Sequence, residues 1–549
     1  MKKNSFIQGA FIATVAILIS KIIGVIYVIP FYPLIGERGG ALYGYAYTIY
    51  GMFLSISTAG IPFAISRITS EYNALGQDYI KEKTYKLGKY LICSLGLIGF
   101  LILFIFSENI AYLFIRNIEG GNTIEDVSFV IRVVSTALLI VPLLSVSRGY
   151  LQGQKYITPS SVSQVLEQIV RVTFLLIGSY LTLRVFNLSL TTTVGVSVFA
   201  ATFGALTAYL YIFIKIFANK EKLNRDALET EEEKQITSKF LMRKILAYSI
   251  PFILIDVVRS GYSFVDLSTI NKTMVDLGYE IQEAEAVIGI LTTWGFKLNS
   301  IIFAISTGLI VSLIPNITSS FVTKDIKEVK RKINCALQSL IFVVLPLTIF
   351  LSVLSIPVWT VFFGSGSNLG PMIFSFYIYM ALVVSIYNTT VSMLHSLGFS
   401  KTILFSLFIG LVIKTILNIP SMYLFNSFRL HPSYGVIFAT IISFVIAIII
   451  NLVYIKIKLK INYKDTINKL FRIILSVIVM IIGILLLKFI IPIESGSRLL
   501  SLIICGVYGL IASSIYLFMT IKTKIIYEIF GKDILKKVLS KFKVFAINK

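Results

Sequence analysis

Two lysines stand in stretches that otherwise read as lipid-facing helix, and their chemistry is the clearest in the chain. Lys21 lies well inside the apolar run Ile7 to Pro33, next to Ser20, and Lys297 lies inside a second run from about 286 to 314. A lysine at the centre of a membrane helix costs roughly 2.5 to 3.5 kcal/mol on insertion scales, so such residues face a bundle interior or a wet path. Ala10, Thr14, Lys21 and Gly24 recur at helical spacing and give the first run one small, polar stripe. Thr293, Lys297, Ser300, Ala304 and Thr307 advance in steps of four and three, which puts them on one face of a regular helix. The chemistry implied is anion binding, by groups such as these in a substrate site made of Ser20, Lys21, Thr293, Lys297 and Ser300. Lysine holds phosphate as a mobile point charge rather than a bidentate clamp, which suits a site that must let go. Two ammonium groups would offset part of the cost of taking a diphosphate through a low-dielectric layer. The structural alternatives are a snorkelling Lys21 and an ion pair between Lys297 and an acid on a neighbouring helix.

Other charges within apolar runs read as structural or gating groups. Glu167 and Arg171 stand four apart with the acid first, the favourable order for a helix pair. Ser160 and Gln164 extend that face, and Arg148 with Gln152 would join it at an inner mouth. Asp256, Arg259, Ser260, Ser263 and Asp266 form a polar patch, with Asp256 and Arg259 near enough to pair.

The elements that must position these groups follow from composition. With 56% hydrophobic and 14% charged residues in 549, the chain cannot be an ordinary soluble protein. It reads as an all-α, polytopic membrane protein. Fourteen spans are expected, near 7–33, 42–65, 88–107, 127–146, 162–183, 190–215, 244–267, 286–314, 333–357, 371–394, 401–425, 433–455, 472–492 and 499–520. Most Lys and Arg fall in the loops on the Met1 side, which places both termini in the cytoplasm and explains the formal charge of +23 without nucleic acid. The opposite loops lean acidic, as in Glu119 to Asp126 and Asp276 to Glu285. The opening apolar run is too long for a leader and reads as a retained helix.

Residues 55–70, SISTAGIPFAISRITS, align with 304–319, AISTGLIVSLIPNITS, 249 residues on and about half identical. Such duplication marks transporters whose substrate site lies between two halves. The expected organisation is therefore an N-terminal lobe at 1–217, a cytoplasmic linker at 218–243, a C-terminal lobe at 244–457, two further helices at 458–521 and a basic tail at 522–549. In that tail, isoleucines and lysines alternate at helical spacing, as in a helix lying on anionic lipid. Bending is expected at Gly24, Pro30, Gly60, Pro62, Pro251 and Gly308. Cys93, Cys335 and Cys505 sit in apolar runs and suggest neither disulfide nor metal, while His395 and His431 sit at segment ends. No phosphate loop of the GxxxxGKS type, HExxH or paired loop acids appear, so a membrane glycosyltransferase or polymerase is disfavoured and transport would be secondary.

Four stretches carry a family resemblance: SKIIGVIYVIPF from Ser20, STAGIPFAISRITSEY from Ser57, SRGYLQGQ from Ser147 and SQVLEQIVRV from Ser163. Together they resemble the multidrug/oligosaccharidyl-lipid/polysaccharide exporters, in the branch of the stage V sporulation protein B and lipid II flippases. The resemblance implies two six-helix lobes, a central cationic cavity for a lipid-linked diphosphate sugar, and two extra helices shaping a groove for the lipid tail. Ser20, Lys21 and Lys297 match cavity positions, whereas Tyr27 and Ser55 stand where relatives carry further cations. It also implies flipping of an undecaprenyl-diphosphate sugar, foremost lipid II, across a bacterial plasma membrane by a monomer without a cofactor. A capsular, teichuronic or spore-cortex precursor, or a drug as cargo, are the alternatives. Coupling would be to Na+, H+ or the membrane potential. Some relatives hold sodium at positions matching Asp256, Asn418 and Thr440, but Lys414 argues for an ammonium there, paired with Asp256.

Overall fold

Long apolar runs fold as helices because lipid offers nothing to hydrogen-bond, and a helix satisfies its backbone within one segment. The computed structural model describes residues 6–58, 60–116, 118–223, 229–494 and 496–531. Among them every regular element is a helix, and the expected apolar stretches lie mainly on helix. Twelve of these helices are long and apolar enough to cross a membrane, so the count of fourteen is not reached by length and composition.

The chain forms two compact units, Met1–Lys297 with Leu407–Ala439, and Leu298–Ser406 with Thr440–Lys549. The first opens with α1 (Phe6–Ile26), α2 (Val28–Thr58), α3 (Ile61–Ala74), α4 (Asp78–Ile105), α5 (Ser107–Ile115), α6 (Ile124–Ser135), α7 (Ala137–Gly153), α8 (Ile157–Tyr180) and α9 (Leu190–Phe217). A short α10 (Glu231–Lys234), the long α11 (Ser238–Asp276) and α12 (Ile281–Gly289) follow. The remaining helices are α13 (Gly295–Val322), α14 (Ile326–Val353), α15 (Ser355–Phe363), α16 (Leu369–Ser396), α17 (Ser400–Ser427), α18 (Ser433–Leu459), α19 (Lys464–Lys488), α20 (Arg498–Lys522) and α21 (Ile525–Phe530). The first unit therefore takes in the later part of α17 and the start of α18.

In the first unit, the motifs behind the resemblance form a tight helix seam. Gly149 and Gly153 lie one turn apart on α7, where any Cβ would run into the backbone of Pro62 and Ser66 on α3. Small residues at this spacing let two membrane helices approach backbone to backbone. Pro62 sits in the first turn of α3, where its missing N–H is not needed. Tyr85 stacks on Tyr150 at 4.1 Å, and their hydroxyls bond Ser147 and Glu82. A core of Ile61, Ile65, Ile68, Leu144, Val146 and Leu151 surrounds this pair.

Local departures from the expected segments have physical causes. The second apolar stretch begins at Val28, and the backbone breaks at Gly36 (φ 63°, ψ −161°), a conformation open to glycine and costly for other residues. Among the expected bending points, Gly60 precedes α3 in an ordinary right-handed conformation, with its Cα against Ser249. Helix α11 starts at Ser238, inside the expected linker, capped by the Thr237 hydroxyl; linker residues 224–228 lie outside the described residues. The acidic loops are tied down: Thr123 and Asp126 form a reciprocal cap on α6, and the buried Glu285 accepts from the Asn122 N–H at 2.8 Å.

In the second unit, Gln338 on α14 donates to Asp465 and Thr466 on α19, both at 3.0 Å. Arg472 on α19 grips the Glu528 carboxylate of α21 at 2.5 and 3.0 Å. The first part of the basic tail is thus docked, with Ile525, Ile526 and Ile529 buried; the expected lipid-facing helix continues into 532–549, outside the described residues. Apolar side chains such as Phe471, Leu486 and Leu510 stay exposed on α19 and α20, a surface that only lipid would cover without penalty.

Candidate functional site

Three elements of the first unit bring polar groups together. The first is the junction of α1 and α2, where Tyr27 is buried at the single non-helical turn. The second is the face of α2 bearing Tyr43, Tyr47 and Tyr50, spaced four and three apart; Tyr43 and Tyr47 stack at 4.4 Å. The third is α8, which carries Gln164, Glu167, Gln168 and Arg171.

Lys297 joins them. Its ammonium lies 5.2 Å from the centre of the Tyr27 ring, a cation–π contact. The guanidinium of Arg171 lies within electrostatic reach of Tyr47, Tyr43, Tyr27 and Glu167. Arg171 and Lys297 thus share one tyrosine wall. Sequence reasoning assigned Arg171 to a helix pair with Glu167; the structure instead gives Glu167 to Arg148 of α7, at 2.8 Å. Arg148 reaches Glu167 from the neighbouring α7 and is further fixed by its Nε–H on the Ser163 hydroxyl at 2.8 Å. Gln152 donates to Ser160 at 2.8 Å, so the Arg148, Gln152, Ser160 and Glu167 group does form a knot. The tyrosine wall was the signal missed: Tyr43, Tyr47 and Tyr50 repeat at helical spacing in ALYGYAYTIYG.

Helices α1 and α8 meet at Gly24, where an added Cβ would stand 3.2 Å from Nε2 of Gln168. Lys21 lies about one turn before Gly24 and Arg171 about one turn after Gln168. Lys21 is half-buried, and the Ser20 hydroxyl is buried beside it.

The stripe expected around Lys297 is reshaped. A wide turn spans 290–294, with the Gly295 N–H reaching back five residues to the Ile290 carbonyl. Thr293 is consequently turned onto α2, buried, and donates to the Gly40 carbonyl at 2.9 Å. Trp294 fills the space left by Gly40, and its ring meets Tyr32 edge-on at 5.1 Å. Ser300 is half-buried in the second unit.

Other polar groups expected from the sequence lie elsewhere in the first unit. Asp256 pairs with Arg259 at 3.3 Å on a partly exposed face of α11. The expected partner of Lys414 was Asp256; it is Asp266, at 2.5 Å. Ten residues separate the two acids, about 15 Å along a helix, and only Asp266 is level with Lys414. Asn418 donates to Thr269 at 2.7 Å, and Thr440 belongs to the second unit. His431 bridges Glu283 and Ser433 between α17 and α18.

Comparison with known proteins gives the class that this multi-helix bundle serves, a membrane transporter. Residues 6–321 match the family described as polysaccharide biosynthesis protein. The chain belongs to that family. It is 31% identical over 541 residues, 96% of its length and 97% of the relative's, to the lipid II flippase MurJ of Bacillus subtilis (strain 168). It is also 24% identical to the stage V sporulation protein B of the same organism, over 62% of this chain and 63% of that one. Among solved structures it is similar to an inward closed lipid II flippase MurJ, with a TM-score of 0.67 at 17% identity, covering 94% of this chain and 99% of that one. An inward-facing MATE transporter of the MOP superfamily shares the fold with a TM-score of 0.63 at 12% identity, over 81% and 94% of the two chains. The MurJ relative is a flippase and the two structural neighbours are a flippase and a transporter, and the protein is a multi-pass protein of the bacterial cell membrane.

Proposed function

We propose that this protein flips an undecaprenyl-diphosphate-linked sugar, with the peptidoglycan precursor lipid II as cargo, from the inner to the outer leaflet. The observation that carries the reading is the joint placement of Lys297 and Arg171 on the Tyr27, Tyr43 and Tyr47 wall. Cations beside aromatic rings can take a diphosphate from water and still release it, since a point charge or a stacked guanidinium binds phosphate without enclosing it. The full-length relation to a lipid II flippase supports the same cargo. Lys21 and Ser20 would receive the head group on the cytoplasmic side, and the cycle would run by alternating access between lobes 1–217 and 244–457. Both termini would face the cytoplasm, as the positive-inside bias requires. The protein would act as a monomer, with anionic lipid against its basic tail.

Rescue of a bacterium depleted of its own lipid II flippase tests the reading. The intact chain is expected to rescue, and Lys297→Ala and Arg171→Ala, at matched membrane levels, are expected to fail. No rescue by a well-expressed intact chain would transfer the assignment to another lipid-linked sugar.

A further inference from the structure

The cluster around Lys414 takes no part in the cargo reading and has a composition of its own. Lys414 is fully buried on α17. Its ammonium meets the Asp266 carboxylate of α11 at 2.5 Å and donates to the main-chain carbonyl of Val436 on α18 at 3.2 Å. One turn along α17, Asn418 is also fully buried; its Nδ2 donates to the Thr269 hydroxyl of α11 at 2.7 Å. Its Oδ1 meets no donor among the described residues.

The oxygens of this cluster are those that a hard monovalent cation takes: one carboxylate, one main-chain carbonyl, one amide oxygen and one hydroxyl, drawn from three helices. A sodium site implied by the family resemblance would need such a set. Here the residues do not fit a free ion, because a tethered ammonium already lies against the carboxylate and the carbonyl. A second cation within a few ångströms would meet the like charge of a fully buried ammonium, where water screens little. Removing Lys414 would leave the partly buried Asp266 carboxylate, 19% exposed, without its neutralising partner, a state that proteins relieve by recruiting a counter-ion or a proton.

We infer that Lys414 is a built-in counter-cation: its side chain fills a site that would otherwise hold free sodium, so this protein folds and cycles without a sodium ion between α11, α17 and α18. The position of the charge is then fixed by the chain, and its occupancy does not follow the ionic composition of the medium. This inference does not rest on the identity of the cargo, and its readouts are ion binding and stability rather than transport.

The experiment uses the purified full-length protein in nanodiscs. Thermal unfolding is compared in sodium chloride and in choline chloride at equal ionic strength, with radioactive-sodium binding measured in parallel, for the wild type, Asp266→Asn, Lys414→Ala and Lys414→Ala/Asp266→Asn. The wild type is expected to unfold at the same temperature in both salts and to bind no saturable sodium. Lys414→Ala is expected to gain a sodium-dependent upward shift in Tm together with saturable binding, and the double variant to lose both. Lys414→Gln, which keeps the length of the stem, is measured in the same way should the alanine variant not accumulate. Saturable sodium binding by the wild type that Asp266→Asn abolishes would overturn the inference, and this arm needs no Lys414 variant to fold. A folded Lys414→Ala or Lys414→Gln protein indifferent to sodium would overturn it as well.

Discussion

Replacing Lys297 by Gln removes one charge from the tyrosine wall while keeping a polar side chain of similar reach. In the structure the ammonium is half-buried, 5.2 Å from the Tyr27 ring centre. A phosphate oxygen about 4 Å from that ammonium would gain about 4 kcal/mol at an effective dielectric near 20. Stripping water from both groups and ordering a long side chain return about half of this, leaving about 2 kcal/mol, or close to thirty-fold in affinity. The assay is titration of a fluorescent undecaprenyl-diphosphate sugar into protein held in nanodiscs, with an undecaprenyl monophosphate in parallel. Lys297→Gln should weaken binding of the diphosphate more than that of the monophosphate, and Arg171→Gln should do the same. Tyr27→Phe should change little, because the ring that faces the ammonium is kept. Affinity within about twofold of the wild type in both charge variants, with unchanged Tm, would refute an anion site on this wall.

Three further outcomes follow from the geometry. Arg148→Gln strands the Glu167 carboxylate, which is 21% exposed and paired at 2.8 Å; a loss of about 2 to 3 kcal/mol is expected, below the fully buried range because water reaches both groups, and Arg148→Gln/Glu167→Gln should recover much of it in thermal unfolding. Gly149→Ala pushes a methyl group into the backbone of Pro62 and should cost about 1 to 3 kcal/mol, read as a lower Tm and lower yield, whereas Gly76→Ala fills open space and is opposed only by its positive φ. The Arg472 guanidinium, by its hydrogen bonds, holds the Glu528 carboxyl below the usual range. Glu528 therefore binds its proton less readily folded than unfolded, so its contribution is full above the ordinary glutamate pKa and fades as pH falls through the lower folded value. Both groups are about a third exposed or more, so about 1 kcal/mol at most is at stake; Arg472→Met should flatten that acid limb of the stability profile, and an unchanged limb would count against the docked α21.

The fold was legible because its main signal is one-dimensional. Apolar runs long enough for a bilayer appear as runs in the sequence, and the expected ones lie mainly on helix. Lys297 was likewise legible, since a charge in an apolar run is conspicuous without any partner. Partners were not, and the misreadings share a cause. Glu167 was matched with Arg171 and Lys414 with Asp256 from spacing or family position, but a side chain in a helix bundle pairs with whatever lies level with it on the next helix. Levels between helices depend on where each one starts, tilts and breaks, and the break at Gly36 carries no signal beyond one glycine among many. Arg171 was undervalued for the same reason. Its setting is made by Tyr27, Tyr43 and Tyr47, from two elements far upstream.

The wide turn at 290–294 bears on how this gene tolerates changes in length. A five-residue hydrogen-bonded turn inside an α-helix holds one residue more than the regular ladder needs. Deleting one codon there would restore an ordinary turn and leave Lys297 facing Tyr27. The same deletion five residues later, inside the regular part of α13, would swing everything beyond it by about 100° around the helix axis. Length polymorphism in this helix should therefore gather at one turn, and a chain shortened at that place should remain a working allele.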